Sequence, residues 1–290
     1  MNYDVDVNQI SLKYKKFEAL KDLTFKLEYG KIYGLIGRNG AGKTSFLSLL
    51  ASYQEPTEGT ITIAGEIPFE NANMMPHVSF THETDYADEY EPITDYLEAA
   101  ERYRPNFDPE YADKLIKLFK LPLDKPIKEL SSGMQSALNV TLGLANRSPI
   151  TIFDEVYLGM DAPTRELFYK ELLDEQSRHP RTMILSTHLV SEMDYLFDDV
   201  LILDRGKLLL HESFEALISR GATITGASKN VDTFTSEMEK LNTQQLGDTR
   251  SVMVYGEISD AKQFEADQIG LEIGPVSLQE LFIHLTREEE

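Results

Sequence analysis

The chain contains no cysteine among its 290 residues, which removes disulfides and thiolate metal sites from consideration and suits a reducing compartment. It also lacks any run approaching the ~20 apolar residues that a membrane-spanning helix requires. The nearest candidate, LILDRGKLLL from Leu201, is broken by two basic residues and an aspartate. The first residues, MNYDVDVNQI, have neither the basic start nor the apolar stretch of a signal peptide, so a cytosolic location is expected. Basic residues are scarce: 28 stand against 49 acidic ones, a net charge of −21. Such a balance repels a phosphate backbone unless basic residues are concentrated somewhere. No such concentration is visible, so nucleic acid is not an expected partner. The acid is unevenly spread, with eight carboxylates and no Lys or Arg between Glu83 and Glu101; a solvated face is the plain reading of such a run.

What is present describes a globular protein, 41% hydrophobic and 27% charged, long enough for one large domain and a smaller appendage. Residues 3–13 and 23–28 are rich in β-formers, and KIYGLI (31–36) reads as a buried strand feeding a glycine turn and the helix TSFLSLLA. TITIAG after Gly59 suggests another strand, and helical stretches are expected from Pro92, over 110–120 and over 134–146. Then come a strand PITIFDE (149–155), a helix (162–178), a strand TMILST (182–187), a helix (189–197) and a strand VLILD (200–204). This alternation predicts a parallel sheet wrapped by helices, with ligands at the carboxyl ends of its strands. From about Gly221 the pattern becomes α+β: ATITG, a helical 231–242, SVMVYG, a helical 259–268 and an amphipathic VSLQELFIHLT.

Three of those strand ends carry chemistry: the turn at 37–44, Asp154 with Glu155, and His188. GRNGAGKT (Gly37 to Thr44) fits G-x-x-x-x-G-K-[ST] between a strand and a helix, the context in which that pattern cradles phosphates. Gly37, Asn39, Gly40, Ala41 and Gly42 would turn backbone N–H groups toward a nucleotide. Lys43 would reach the terminal phosphates, the Thr44 hydroxyl would bind Mg²⁺, and Ser45 continues the helix start. Asp154, at the end of an apolar strand, suits a carboxylate that positions Mg²⁺. Glu155, one residue on, is placed to orient or deprotonate an attacking water. Taken alone, the Asp-Glu pair also fits a plain helix-capping turn. A guanine-reading N-K-x-D string is absent, which disfavours a GTPase.

LSSGMQ (Leu130 to Gln135) is by itself only a capped helix start. Its place between the phosphate loop and PITIFDE, however, makes residues 5–220 resemble the ATP-binding-cassette (ABC) family. That resemblance implies an α/β fold, a P-loop NTPase cassette with a parallel core sheet, an antiparallel β subdomain and a helical signature subdomain, followed by a small α+β appendage at 221–290. It puts Tyr14 in the place of the aromatic that stacks on adenine, Asp161 in that of the D-loop aspartate, and His188 in that of the switch histidine. It further implies ATP and Mg²⁺ as ligands, and head-to-tail pairing with a second cassette in a homodimer or heterodimer. In such a pair each ATP lies between Lys43 of one copy and Ser131 and Gly133 of the other. The resemblance makes the protein a transport ATPase, peripheral to the cytoplasmic face of the cell membrane through a separate transmembrane permease subunit.

Departures from the family pattern are informative. Ser132 replaces the second signature glycine, Met134 the usual glutamine, and FDEVYLGMD lacks the proline after the glutamate. The LS-x-GM form is similar to exporters of antibiotics and peptides, so antimicrobial or toxic peptides or drugs are the expected cargo. VSFTHE places Glu83, with His82 beside it, where the family presents a glutamine to Mg²⁺. The competing reading is a soluble, non-transport cassette acting as a regulator or interaction protein. Relatives of that kind carry two cassettes or long coiled coils, and this chain has one phosphate loop and no sustained heptads.

Overall fold

Alternating apolar and polar residues make β1 (Val5–Tyr14) and β2 (Phe17–Leu27) strands with one buried face. A computed structural model describes residues 2–286. In it the two strands pair antiparallel through a tight turn at Lys15 and Lys16, with Lys15 left-handed at φ 57°. Next, β3 (Ile32–Ile36) is buried at every residue and leads through the glycine loop into α1 (Lys43–Leu50). Phe46, Leu47, Leu49 and Leu50 of that helix are buried, each worth about 1.5–3 kcal/mol of transfer free energy. β4 (Glu58–Ile63) returns to β1 and completes a three-stranded antiparallel sheet, ordered β2-β1-β4.

After β5 (Val78–His82) the chain leaves the sheet through α2 (Ile93–Tyr103), α3 (Pro109–Phe119) and α4 (Ser132–Ala145). It comes back as β6 (Ile150–Asp154), α5 (Ala162–Arg178), β7 (Thr182–Thr187), the single-turn α6 (Val190–Met193), β8 (Asp199–Asp204) and β9 (Lys207–Ser213). Strands β6 and β7 are buried throughout, as central strands covered on both faces must be. The six-stranded sheet is ordered β5-β6-β7-β3-β8-β9, and its pairs from β5 to β8 are parallel. The expected α/β sheet with phosphate loop is therefore present. The helix expected over 189–197 is only α6 followed by a 3-10 turn at Asp194–Leu196.

The remaining elements are α7 (Phe214–Ser219), β10 (Gly221–Ala227), α8 (Ser228–Phe234), β11 (Glu239–Leu246), β12 (Thr249–Tyr255), α9 (Asp260–Gln268), β13 (Glu272–Pro275) and α10 (Leu278–Leu285). The chain divides into two compact units: one runs to His188 and takes in Tyr195–His211, and the other holds Leu189–Asp194 and everything described from Glu212 on. In the second unit β10 to β13 form an antiparallel sheet ordered β11-β12-β10-β13. With α8 and α9 this is the β-α-β-β-α-β arrangement of a ferredoxin-like fold. Ala222 and Ile224 of β10 and Val252 and Val254 of β12 pack with Val231, Phe234, Ala266 and Leu271 in its core. The helix expected over 231–242 stops at Phe234, where Thr235 turns its hydroxyl back onto the Val231 carbonyl, 2.8 Å away. Glu239–Leu246 is instead an edge strand, paired to β12 through a turn at Gly247 and Asp248.

Candidate active site

Parallel strands in register bring their carboxyl ends level. Ile36 of β3 lies beside Thr187 of β7, Asp154 of β6 beside Ser186, and His82 of β5 beside Asp154. The residues just past these ends therefore meet at one edge. Glycine is required in the loop after β3. A Cβ on Gly37 would sit 2.7 Å from the Leu203 carbonyl oxygen; one on Gly42, at φ 105°, would sit 2.8 Å from Leu20 Cδ2 and 2.9 Å from Ala19 O. Gly42 caps α1, whose first amides have no partner within the helix. Against them lies a cavity of about 260 Å³, bordered by Asn39, Gly40, Ala41, Gly42, Lys43, Thr44 and Ser45, by Glu155, and by Phe17 and Ala19.

Lys43 is buried, with Nζ donating to the Gly37 carbonyl at 2.7 Å and standing 3.4 Å from Glu155 Oε1. The same carboxylate oxygen lies 3.0 Å from His188 Nδ1. Glu155 adopts φ 54°, a left-handed conformation that a non-glycine residue rarely takes and that concentrates at functional sites. Beside it the Thr44 hydroxyl donates to Asp154 Oδ2 at 2.7 Å. A second cavity, about 400 Å³, is lined by Thr44, Ser48, Tyr53, Phe80, His82, Glu83, Asp154 and Glu155. Both His82 and Glu83 therefore face it. His82 directs Nδ1 at the Glu83 carbonyl, 2.8 Å away, and its ring packs on Phe80 with centroids 4.9 Å apart.

Among the described residues no three His, Asp or Glu side chains gather into a self-sufficient metal site. The donor set fits a hard cation of the Mg²⁺ kind instead. Such an ion takes one or two protein oxygens and completes its shell with phosphates and water, and the Thr44 hydroxyl and Asp154 carboxylate stand ready together.

The remaining sequence candidates lie apart from these cavities. Ser131 caps α4, its hydroxyl accepting from the Met134 amide at 3.3 Å. Gly133 lets α4 approach the loop after Glu155: a Cβ there would be 3.0 Å from the Gly159 carbonyl. Asp161 caps α5, and hydrogen bonds from Thr164 hold its carboxyl below the usual range. Ser131, Gly133 and Asp161 border neither cavity. Nor does Tyr14, whose hydroxyl accepts from Gln54 Nε2 at 2.6 Å. Sequence reasoning passed over Phe17 and Tyr53. The available signal for Phe17 was its place three residues after Tyr14, across a two-residue turn.

Strand ends converging on a phosphate loop, with a lysine, a hydroxyl and two carboxylates aimed at one cleft, define a P-loop nucleoside triphosphatase. The finer assignment follows from likeness to known proteins. Residues 20–157 match the family described as ABC transporter. The likeness is to the ATP-binding domain of that family, a family of ATPases coupled to transport. It is 27% identical over 210 residues to the ABC transporter ATP-binding protein YtrB of Bacillus subtilis (strain 168), covering 70% of each chain. It is 24% identical to the Nod factor export ATP-binding protein I of Sinorhizobium fredii (strain NBRC 101917 / NGR234), over 98% of this chain and 86% of that one. Among solved structures, an ATP-binding subunit of an ABC transporter superposes with a TM-score of 0.67 at 22% identity, covering 73% of this chain and 91% of the other. The dimeric bacterial cassette MJ0796 gives 0.63 at 19% identity, over 72% and 98%.

Proposed function

We propose that this chain is the ATP-hydrolysing subunit of an exporter of antimicrobial or toxic peptides or drugs. It sits on the cytoplasmic face of the cell membrane through a separate transmembrane permease and works in a pair of cassettes. One observation carries the pairing: Lys43, Thr44, Asp154, Glu155 and His188 share a site that Ser131, Gly133 and Asp161 do not border. A second cassette would bring its own Ser131 and Gly133 to the open side of the phosphate loop. Export is supported by the name of the Sinorhizobium relative and by the LSSGM form of the signature.

In this reading Lys43 exchanges the Gly37 carbonyl and the Glu155 carboxylate for phosphate oxygens, which frees Glu155 to accept a proton from the attacking water. His188 holds that carboxylate by Nδ1. Thr44 and Asp154, with Glu83 at the cavity wall, would hold Mg²⁺, which would supply neutralisation of the phosphate charge. His188→Ala is expected to slow phosphate release by roughly 10²-fold with ATP affinity kept; full turnover in that variant would leave His188 with no part in the site.

The permease is expected to dock where carboxylates lack basic partners. Among the described residues none of Glu83, Asp85, Asp88, Glu89, Glu91, Asp95, Glu98 and Glu101 forms an ion pair with Lys or Arg. A side-chain hydrogen bond with Asp95, and after it the like charge of that carboxylate, raises the pKa of the Glu91 carboxyl. Steering and register across such a face come from complementary charge. Reversing Asp88, Glu89 and Glu91 to lysine should cut recovery of the permease in pull-downs at least about tenfold, an order set by losing close charge pairs. Unchanged recovery and salt dependence would make the run a solvated face and favour the soluble regulator.

A further inference from the structure

The segment after β6 carries Glu155 on a strained backbone. A proline at position 156 would drive the residue before it toward extended backbone; Val156 stands there instead, and Glu155 takes its left-handed φ of 54°. Locally the segment closes by two turn bonds, from the Leu158 amide to the Glu155 carbonyl at 3.2 Å and from the Met160 amide to the Tyr157 carbonyl at 3.0 Å. Strain of this kind persists where the surroundings over-determine it, and a long-range hold is present in Tyr157. Its ring is wholly buried, packed on Phe168 and Tyr169 of α5 with centroids 6.5 and 6.1 Å away. Its hydroxyl donates to the Ser186 carbonyl of β7 at 3.2 Å. Burial pushes the phenol's pKa up, opposed by a side-chain hydrogen bond with Thr187, so the hydroxyl keeps its proton and stays a donor. The backbone ladder between β6 and β7 ends at the pair Asp154 and Ser186. The Tyr157 hydroxyl supplies the next link between the two segments, at the point where Glu155 leaves one and His188 the other. Those two side chains then meet, Glu155 Oε1 lying 3.0 Å from His188 Nδ1.

We propose that Tyr157 is a positioning residue for hydrolysis: its hydroxyl ties the Glu155 segment to the end of β7 and so fixes the contact between Glu155 and His188. The proposal rests on the reading of Glu155 as the proton acceptor and of His188 as the group that holds it. Tyr157 borders neither the cavity of the phosphate loop nor the one beside Asp154, so it acts through these two side chains and not on the nucleotide. A phenylalanine would fill the same apolar space on α5. The hydroxyl adds only its polar bonds, and a buried hydroxyl is costly unless those bonds are made.

Tyr157→Phe in the full chain keeps the ring and removes the link. Phosphate release, taken per chain that binds ATP so that unfolded material drops out, should fall about tenfold, within the ~10²-fold that a 1 Å misplacement can cost. ATP affinity by calorimetric titration should be unchanged. The loss should vanish on a His188→Ala background, because residues that act as one unit are not additive; the double variant should turn over no more slowly than His188→Ala alone. Native turnover in Tyr157→Phe overturns the proposal. It is equally overturned if the double variant is slower than His188→Ala by the full factor seen in the native background, since the hydroxyl would then not act through His188. A fall in ATP affinity that matches the fall in turnover also overturns it, by making Tyr157 a support of the phosphate loop. Failure of the site reading looks different: Glu155→Gln and His188→Ala would then each hydrolyse ATP at the native rate.

Discussion

Glu155→Gln is expected to bind ATP at least as tightly as the native chain and to lose about 10²–10⁴-fold in turnover, the usual contribution of a positioned proton acceptor. The substitution is nearly isosteric, and glutamine meets the left-handed φ of 54° at the same cost as glutamate, so the backbone turn after β6 is retained. The side-chain oxygen can still accept from Lys43 and His188, which stand 3.4 and 3.0 Å from Glu155 Oε1. What disappears is the ability to take a proton, and with it a negative charge beside the place of the terminal phosphate. Removing that charge favours the phosphates, so the ATP-bound pair of cassettes should persist longer. Phosphate release, calorimetric ATP binding and light scattering of the ATP-bound species measure the three effects separately. A variant that keeps near-normal hydrolysis would sink the assignment of Glu155 as the base.

The parts legible in sequence are those in which local pattern and tertiary position coincide. IYGLI and ITIFD read as strands because both faces are covered and every residue is apolar. The phosphate loop read correctly because its glycines answer to local backbone need: Gly37 and Gly42 have no room for a Cβ. β11 was not legible. EKLNTQQL is an edge strand exposed along most of its length, so burial imposes no alternation on it, and the Gly247-Asp248 pair was the signal that a hairpin follows. That Phe17 lines the cavity, and that Tyr14 accepts from Gln54, 40 residues away in sequence, are contacts no local pattern shows. The helix over 162–178 was legible, but not that Glu175 on it is wholly buried. Its partners lie on other elements.

Those partners give the second large effect. Glu175 accepts from Arg147 Nε at 2.8 Å and from Arg181 Nη1 at 3.1 Å, and Arg181 is itself 2% exposed. Burial lowers the pKa of the Arg181 guanidinium, with Glu175 opposing. Arg181 also donates to Thr151 Oγ1 at 3.1 Å and to Leu144 O at 3.0 Å, and Arg147 reaches Asp108 at 2.6 Å. The group thus joins the start of α3 and the end of α4 to α5 and to the entry of β7. Glu175→Ala strands a buried guanidinium, which should cost about 3–5 kcal/mol. That corresponds to roughly 6–20 °C in melting temperature for a unit of this size. Glu175→Met combined with Arg181→Met removes both charges and leaves Arg147 with Asp108, so it should regain most of the loss. Scanning calorimetry reads both variants. Because α4 begins at the Ser131 cap and Gly133, the single variant should also loosen the signature helix and depress hydrolysis below what its ATP affinity implies. Equal melting of Glu175→Ala and the native chain would mean that apolar contacts of α3 and α4 hold the helical segment to the sheet without the ionic group.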